Sequence, residues 1–352
     1  MTLATLALGR AIQQRREPMP SFAFRRQPFV MLCGMALLLL SFIPARAEGC
    51  GTPPAPMRDI TANSYYTDAH HSVIDKAALA RNVKSAKPLN DYETAVARYA
   101  TRAQKGSAAW GQCAGRWLAA WARGGALLGH MSSMQAEFER KWAVARLAMA
   151  YLRAEPQIAP ADRAAIAPWL ARVAHAVDAY HRTKLGHLRN NHYTWLGYAL
   201  MAAGAAANDA ALIKIAETIY DDTLRQIAAD GHLPLEAARG KRALHYHAFT
   251  VLPLVMMAEL AARRGEDWYA KDAGALHRLI RFTLANARDP APLKRLAGVA
   301  QEPLKGSDFG WMPLYGKRFP ARVEADAARV TRHYWIRWAG GDMNVLAAAW
   351  VK

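Results

Sequence analysis

Acidic side chains and cysteines are both scarce in this sequence of 352 residues. It carries 28 Asp and Glu against 46 Lys and Arg, a formal net charge of +18, and only three cysteines. So few cysteines exclude a disulfide-rich scaffold. The sequence also lacks C-x-x-C, H-E-x-x-H, a phosphate-binding loop, a dinucleotide fingerprint and G-x-S-x-G. We therefore expect no metal, no nucleotide cofactor and no serine hydrolase site of those types.

The first 47 residues have the pattern of a secretory signal peptide. Arginines at 25–26 precede an apolar run at 29–43, and Ala45-Arg46-Ala47 has the small-x-small form of a cleavage site. The alternative is a membrane anchor, but the run is short for a span. We expect cleavage after Ala47, a single mature domain of residues 48–352 in the periplasm, and no stable membrane insertion after cleavage.

The mature chain keeps a strong positive charge. Six arginines and Glu17 lie in the leader, so the remaining charge is 18 − (6 − 1) = +13. Outside the cytoplasm, a basic surface favours an anionic polysaccharide or an anionic envelope over nucleic acid. Cys50 and Cys113 are the two cysteines that remain. In an oxidising compartment they form either one bridge or two buried thiols, and we favour the bridge.

Apolar residues recur at helical spacing from residue 91 onward, and alternating strand patterns are nearly absent. The pattern predicts helices over 91–104, 111–128, 133–154, 161–182, 192–206, 209–229, 243–264 and 270–287. Consecutive antiparallel helices with short connections predict an all-α fold of helical hairpins around an axis. The polar, aromatic segment 63–71 is expected as a surface loop, with a mobile cover over a site as the alternative.

Tryptophans fall into two groups. Trp117, Trp121, Trp142 and Trp169 lie at helical spacing among Ala and Leu, which predicts core packing. Others, such as Trp195, lie beside polar clusters, where core packing and stacking on a sugar ring are both open. Near the end of the chain, the pair at 340–341 is Gly-Gly, which allows close backbone approach.

Two polar clusters, at 189–195 and 239–246, supply amide, imidazole, guanidinium and phenol groups without an acidic side chain. Removing a proton next to a sugar carboxylate requires charge neutralisation, a base and an acid, which these groups can provide. Asn190 and Asn191 sit at a predicted helix start, where one serves as a cap and the other is left for an anion at the helix N-terminus.

In the second cluster, Tyr246 follows Arg239 by seven residues and Arg242 by four. These spacings allow a shared helical face, on which a cation stabilises the phenolate. The alternative is a core tyrosine bonded to backbone. Successive helical residues diverge by roughly 100 degrees, so at most one of His245, Tyr246 and His247 is expected to face a site.

Glycoside hydrolysis by paired carboxylates is the competing chemistry. Glu236 and Asp230 lie near the second cluster, yet neither is paired with another acid by a recognisable pattern.

The two clusters resemble the alginate lyases of polysaccharide lyase family 5. Asn-Asn-His at 190–192 followed by Trp195, and R-x-x-R-A-L-x-Y-H at 239–247, carry the resemblance. Residues 117–127, 140–143, 151–153 and 311–315 are similar to the family as well. The resemblance covers most of the mature chain. The Tyr-Thr after the first motif departs from the family's usual Ser-Tyr.

This resemblance implies an incomplete (α/α) toroid in the periplasm that cleaves poly-mannuronate by β-elimination without a metal or other cofactor. By motif, Asn191 and Arg239 would neutralise the carboxylate, His192 would assist proton removal, and Tyr246 would act as acid and also as base. The implied substrate-binding residues are Tyr66, Trp195, Arg242, Met312, Tyr315 and Arg337, with Tyr66 on a lid loop.

We therefore expect an enzyme, a polysaccharide lyase that acts as a monomer and cuts mannuronate-rich alginate from inside the chain. One alternative is a lyase for another polyuronate, such as glucuronan. The other is a non-catalytic protein that binds anionic polysaccharide during export.

Overall fold

Three helices are buried on nearly every face. Two of them consist largely of Ala, Leu, Met and other uncharged residues, and the first also buries charged side chains, such as Arg146, which pairs with Glu93. The three are α3 (Met134–Ala154), α5 (Asn191–Ala207) and α8 (Ala243–Ala262). The computed structural model describes residues 49–351, so the predicted leader lies outside the described residues. Helices without a polar face need neighbours on all sides, which makes these three the inner wall of the fold.

The long helices form two layers of hairpins. In the inner layer, α1 (Lys76–Gln104), α3, α5 and α8 pack side by side in chain order. Behind them lie the amphipathic helices α2 (Ala108–Arg123), α4 (Pro160–Lys184), α6 (Ala210–Arg225) and α9 (Lys271–Arg288). The predicted all-α arrangement of antiparallel hairpins around an axis, an (α/α) toroid, is confirmed.

Short elements fill the C-terminal third, where the sequence loses its helical period. They are α7 (Pro234–Ala237), α10 (Ala291–Ala297), α11 (Met312–Arg318), α12 (Ala327–Val330), α13 (Met343–Trp350) and the antiparallel pair β1 (Trp335–Ile336) and β2 (Gly341–Asp342). α13 packs against both α1 and α11, and α11 also contacts α8.

Helix α1 begins fifteen residues before its predicted start at 91. The carboxylate of Asp75 accepts hydrogen bonds from the backbone N–H groups of Ala77 and Ala78, so it caps the helix. Residues 76–90 are mostly exposed and polar, with a proline at 88. They therefore lack the apolar period on which the prediction depended.

An extended N-terminal segment, residues 49–60, runs along α2. Cys50 and Cys113 are bonded as a disulfide, and the indole N–H of Trp121 donates to the carbonyl of Pro54 at 3.0 Å. Farther along, the backbone N–H of Leu127 donates to the carbonyl of Met57 at 2.9 Å. The segment is thus held at both ends and in the middle.

The glycine pair near the C-terminus serves packing within the protein. Gly340 and Gly341 adopt φ values of +77° and +125°, and a Cβ on Gly341 would lie 2.6 Å from the hydroxyl of Thr101. The guanidinium of Arg153 donates to the carbonyl of Gly340 at 2.8 Å. The predicted close approach therefore brings β2 against α1 and α3.

Within residues 49–351, one stretch, Gly240–Ala262, is long and apolar enough to span a membrane by length and composition alone. Of its most apolar window, 89% is buried inside the protein. This composition follows from the position of α8 in the inner layer.

Candidate active site

A cavity of about 330 Å³ opens between α3, the first turns of α5 and α8, and the segment 63–75. Both polar clusters meet in it: Asn191, His192, Arg239, Arg242 and Tyr246 all line its wall. They are far apart in sequence, so the pairing of α5 with α8 in the inner layer is what brings them together.

Two adjacent asparagines at the start of α5 have different roles. The side chain of Asn190 caps the helix by accepting the backbone N–H of His192 at 3.0 Å. Asn191, 1% exposed, is left to line the cavity. One asparagine caps and the other does not, as the pattern predicts.

Glu236 on α7 fixes the amide of Asn191. Its carboxylate accepts the backbone N–H of Asn191 at 2.5 Å and the side-chain Nδ2 at 3.1 and 3.2 Å. Burial raises the pKa of Glu236, and the nearby cation of Arg239 opposes that shift. In the described residues, the Oδ1 atom of Asn191 is buried and has no hydrogen-bond partner.

His192 is a neutral imidazole. Its ring stacks on Phe138 with centroids 3.9 Å apart. Burial, followed by the charges of Lys141 and Arg239, holds the pKa of His192 well below its usual range. A neutral ring nitrogen on the cavity wall can take up a proton.

Tyr246 is held beneath two cations. The guanidinium carbons of Arg239 and Arg242 lie 4.0 and 5.1 Å from its ring centroid. Burial and the neighbouring Tyr66 nevertheless raise its pKa, and the two arginines only partly offset them. Tyr246 is therefore a phenol near neutral pH, a proton donor, and the expected phenolate is not favoured in this state.

The segment 63–75 covers the cavity, so the preferred prediction of a plain surface loop is wrong. The hydroxyl of Tyr246 donates to the carbonyl of His71 at 3.1 Å, and Arg242 donates to the hydroxyl of Tyr66 at 2.7 Å. Tyr66 lies on this segment and lines the cavity, as expected for a lid residue. We call residues 63–75 the lid segment.

The carboxylate of Asp68 shapes the turn of the lid segment. It accepts hydrogen bonds from the backbone N–H groups of Ser72 and Val73 at 2.8 and 2.7 Å, and from the Ser72 hydroxyl at 2.8 Å. These bonds lower the pKa of Asp68 to about 2, although desolvation opposes them. Asp68 thus stays ionised and holds the turn across the neutral range.

Three predicted substrate-binding residues are buried in the core, away from the cavity wall. Trp195 is fully buried and its indole N–H donates to the carbonyl of Phe249 at 3.1 Å. Met312 is fully buried, and the hydroxyl of Tyr315 lies 2.7 Å from Nδ1 of His277. Each side chain packs against neighbouring helices and none lines the cavity.

Arg337 does not line the cavity either. Its guanidinium lies 3.9 Å from the carboxylate of Glu93, and the adjacent Trp338 lines the cavity in its place. The tryptophans predicted to pack in the core have two kinds of surroundings. Trp121 and Trp169 are fully buried, whereas Trp142 lines the cavity.

His245 and Asp308 are cavity residues that the motifs did not identify. Nδ1 of His245 lies 3.2 Å from the carboxylate of Asp308. His245 and Tyr246 both line the cavity, so the expectation that at most one would do so is wrong. The cavity reaches around the first turn of α8. His247 faces away and accepts the backbone N–H of Leu233 at 3.0 Å.

Carboxylates are rare in the wall of the cavity. Of the described residues, Asp308 is the one acid that lines the cavity. The carboxylate of Asp230 is hydrogen-bonded instead to Nδ1 of His232, at 2.6 Å. Within residues 49–351, no group of three or more His, Cys, Asp or Glu side chains could hold a metal ion.

The chain is similar to known proteins over most of its length. The sequence model of the family described as alginate lyase matches residues 59–293. A polysaccharide lyase of Stenotrophomonas maltophilia is 41% identical over 320 residues, 89% of this chain and 96% of its own length. An alginate lyase of Azotobacter vinelandii is 32% identical over 284 residues, 76% of each chain.

Solved structures share the fold. Alginate lyase A1-III in complex with a tetrasaccharide superposes with a TM-score of 0.74 at 24% identity, covering 85% of this chain and 86% of that chain. The crystal structure of the A1-III enzyme from Sphingomonas species A1 has a TM-score of 0.70 at the same identity and coverage.

Proposed function

This chain belongs to the alginate lyase family, and from that membership we propose that it cuts mannuronate-rich alginate from inside the chain by β-elimination. The product carries an unsaturated uronate at its new non-reducing end. The observation that carries the proposal is the meeting of an amide, an imidazole, a guanidinium and a phenol in one cavity of about 330 Å³.

The reaction has a simple balance. The C5–H and C4–O bonds break, a C4=C5 double bond forms, and one proton reaches the departing oxygen. No water, oxidant or reductant is consumed. As the C5 proton leaves, negative charge builds on the sugar carboxylate. The buried cation of Arg239 neutralises that charge, and Asn191 contributes a fixed amide beside it.

The acid follows from the pKa shift of Tyr246. His192 is neutral and its lowered pKa makes it a weak proton acceptor, so it assists at the carboxylate without adding charge. Tyr246 is protonated, so its hydroxyl can donate to the leaving oxygen. The motif implies Tyr246 as both acid and base, with His192 assisting proton removal. The raised pKa of Tyr246 supports its role as the acid.

Arg242 and Tyr66 bind the neighbouring sugar. Their side chains are hydrogen-bonded at 2.7 Å across the cavity mouth. A polyuronate carboxylate can replace the phenol as the partner of Arg242, because an anionic acceptor binds a guanidinium more strongly than a neutral hydroxyl does.

Two alternatives remain distinct from this proposal. A lyase for another polyuronate, such as glucuronan, is supported by the broader name of the Stenotrophomonas relative, polysaccharide lyase. A non-catalytic polysaccharide-binding protein is supported only by the net charge, which is +13 without the predicted leader. Hydrolysis lacks support, because it needs two facing carboxylates and Asp308 alone lines the described cavity.

We also propose that the mature protein is a periplasmic monomer released by cleavage after Ala47. The disulfide between Cys50 and Cys113 supports an oxidising compartment. Fractionation of cells and N-terminal sequencing of the soluble protein test the location and the cleavage point, and gel filtration tests the monomer.

One assay separates these functions. The purified protein is given poly-mannuronate, poly-guluronate and glucuronan side by side, with and without a chelator. Initial rates are followed by the ultraviolet absorbance of the unsaturated product. We expect the fastest rate on poly-mannuronate, early products of many sizes, and no loss with the chelator. Cleavage without new absorbance would contradict elimination, and binding without cleavage would favour the export protein.

A further inference from the structure

Four cations lie together where the end of α1 meets the start of α2. Arg98 and Arg102 are one turn apart on α1, Lys105 follows that helix directly, and Arg116 lies on α2. All four residues are exposed to solvent. We call these four residues the basic ridge.

A rigid frame places two arginines of the basic ridge. The guanidinium carbon of Arg102 lies 4.3 Å from the ring centroid of Trp110, and that ring stacks on Tyr99 with centroids 5.2 Å apart. The hydroxyl of Tyr99 donates to the carbonyl of Cys50 at 3.0 Å. The guanidinium of Arg116 lies against the disulfide that Cys50 forms. These two arginines therefore lose less conformational freedom when a ligand binds.

Acidic side chains do not balance the charge of the basic ridge. In the part of the chain that the structure describes, none of its members forms an ion pair, and the buried acid of α1, Glu93, is paired with Arg146. Burial raises the pKa of Tyr99, and the charges that oppose this shift, those of Arg102 and Arg98, are both positive. A helix C-terminus stabilises a cation in its last turn, which accounts for Arg102 but not for Arg98, which precedes that turn.

The basic ridge is far from the cavity. Near its start, α1 contacts the lid segment, where the side chain of Asn82 accepts the backbone N–H of Asn63 at 3.2 Å. Arg102 follows Asn82 by 102 − 82 = 20 residues, which corresponds to about 30 Å along a helix. None of the four cations belongs to the described cavity wall. The ridge is therefore a separate surface.

We propose that the basic ridge is a second, non-catalytic binding site for a polyuronate, which keeps a long polymer close to the protein between cuts. This inference rests on the proposed function, which supplies the ligand class. The cations at 98, 102 and 105 follow one another along the helix axis at intervals of about 6 and about 4.5 Å. A polyuronate carries a carboxylate on every sugar, so a row of cations meets a row of anions, and guanidinium groups bind carboxylates strongly.

A linear polymer fits the basic ridge better than a membrane does, because three of its cations form a row along one helix and not a broad plane. Binding there raises the effective concentration of the polymer at the cavity. An oligomer too short to reach the ridge from the cavity gains nothing from it. The ridge should therefore change the KM for long substrates and leave kcat unchanged.

The first test maps the site by chemical modification. Phenylglyoxal, which reacts with exposed guanidinium groups, is applied to Tyr246→Phe protein, which should leave the polymer uncut. Long poly-mannuronate and phosphatidylglycerol vesicles are the two probes, and modified arginines are identified by mass spectrometry. We expect the polymer to protect Arg98, Arg102 and Arg116 and to leave Arg172, an exposed arginine on α4, unprotected. Ridge arginines that react equally with and without the polymer, whether or not vesicles protect them, would overturn the proposal.

The second test separates the basic ridge from net charge. Arg98→Gln with Arg102→Gln removes two cations from the ridge, and Arg172→Gln with Lys214→Gln removes two exposed cations from α4 and α6 as the matched control. In the ridge variant we expect a several-fold rise in KM for long poly-mannuronate, with kcat and the KM for a mannuronate tetramer unchanged. An unchanged polymer KM, or a rise that the tetramer or the control variant shares, would contradict the proposal.

Failure of the proposed function is distinguishable from failure of the ridge site. Without lyase activity, the parent protein forms no unsaturated product from any polyuronate, while protection of the ridge arginines can still be measured. Without a ridge site, the unsaturated product forms and the ridge variant keeps the parental KM. Thermal unfolding of the ridge variant checks its fold, and the modification experiment needs no ridge variant.

Discussion

The ring of Tyr246 lies close to two cations, yet its hydroxyl keeps its proton. Arg239 and Arg242 favour the phenolate, while burial and Tyr66 favour the phenol, and the phenol is the favoured form. The charge on the arginines therefore remains available for the substrate carboxylate.

Tyr246→Phe removes the proton donor and leaves the ring and both arginines in place. We expect kcat to fall by roughly 10² to 10⁴ because a positioned acid contributes about that factor, with little change in sugar binding. Initial rates and calorimetric binding of an alginate oligomer check this. Tyr193→Phe is the control. The hydroxyl of Tyr193 donates a hydrogen bond to the carboxylate of Asp222 at 2.9 Å, and Tyr193 does not line the cavity. Near-parental turnover in Tyr246→Phe would remove this residue from the mechanism.

Glu236 supports the site through Asn191. Glu236→Ala leaves the buried N–H groups of Asn191 without their acceptor, and an unsatisfied buried donor costs about 1 to 3 kcal/mol. Glu236→Gln keeps one carbonyl oxygen in place, so it should cost less in the free energy of unfolding. Urea denaturation of both variants checks this order. An alanine variant as stable as the parent would show that the amide is held by other contacts.

At the scale of single residues, the sequence predicts which polar groups meet in one cavity better than it predicts the packing. Asn191, His192, Arg239 and Tyr246 could be found because an unusual set of polar groups recurs beside helix starts. Trp195, Met312 and Tyr315 could not be distinguished from core residues. A buried aromatic has the same helical period whether it faces a cavity or a neighbouring helix.

The lid segment depends on Asp68 more than on apolar packing. Asp68→Ala removes the acceptor of three hydrogen bonds within the turn. We expect faster proteolysis between residues 63 and 75 and a several-fold loss of kcat/KM, with an unchanged midpoint of thermal unfolding. Limited proteolysis and initial rates check this. Asp91→Ala is the control, because that carboxylate pairs only with the exposed Lys87 on α1. Equal protease resistance of the two variants would contradict this role of Asp68.

The N-terminal segment is joined to α2 by the disulfide. Cys50 and Cys113 are 63 residues apart, and a loop of that size corresponds to a stabilisation of about 4 kcal/mol in the chain-entropy description. We expect the double variant Cys50→Ser with Cys113→Ser to lose roughly that free energy of unfolding while keeping its kcat. Urea denaturation under non-reducing conditions measures the loss. Unchanged stability would mean that the segment is held by its hydrogen bonds alone.

At the scale of elements, the helices with an apolar face could be predicted to within a few residues of their ends. The first half of α1 and the lid segment could not. Both are exposed and polar, and they take their form from caps such as Asp75 and turns such as that of Asp68. Those contacts are local hydrogen bonds, which hydrophobic periodicity does not report.

For the whole molecule, the formal charge of +13 that remains after the proposed loss of residues 1–47 predicts attraction to a polyanion. Raising the ionic strength from about 0.1 M to about 1 M shortens the screening length from about 10 Å to about 3 Å. We expect KM for alginate to rise by roughly tenfold over this range because the attraction of the polymer to the basic surface is screened, with a smaller change in kcat because Arg239 is buried. Steady-state kinetics in increasing NaCl check this. A KM that is insensitive to salt would argue against electrostatic capture.

Under the proposed cleavage after Ala47, the anchored segment 49–60 would order the events of export. Cys50 is buried and bonded, and it lies three residues after Ala47, the proposed cleavage point. A peptidase must bind several extended residues around the bond that it cuts, and a chain already tied down at Cys50 cannot offer them. If the leader is removed after Ala47 as proposed, its removal has to precede closure of the bridge. A precursor that matures slowly at the membrane would fold late, and oxidation of this cysteine pair would mark the moment of its release.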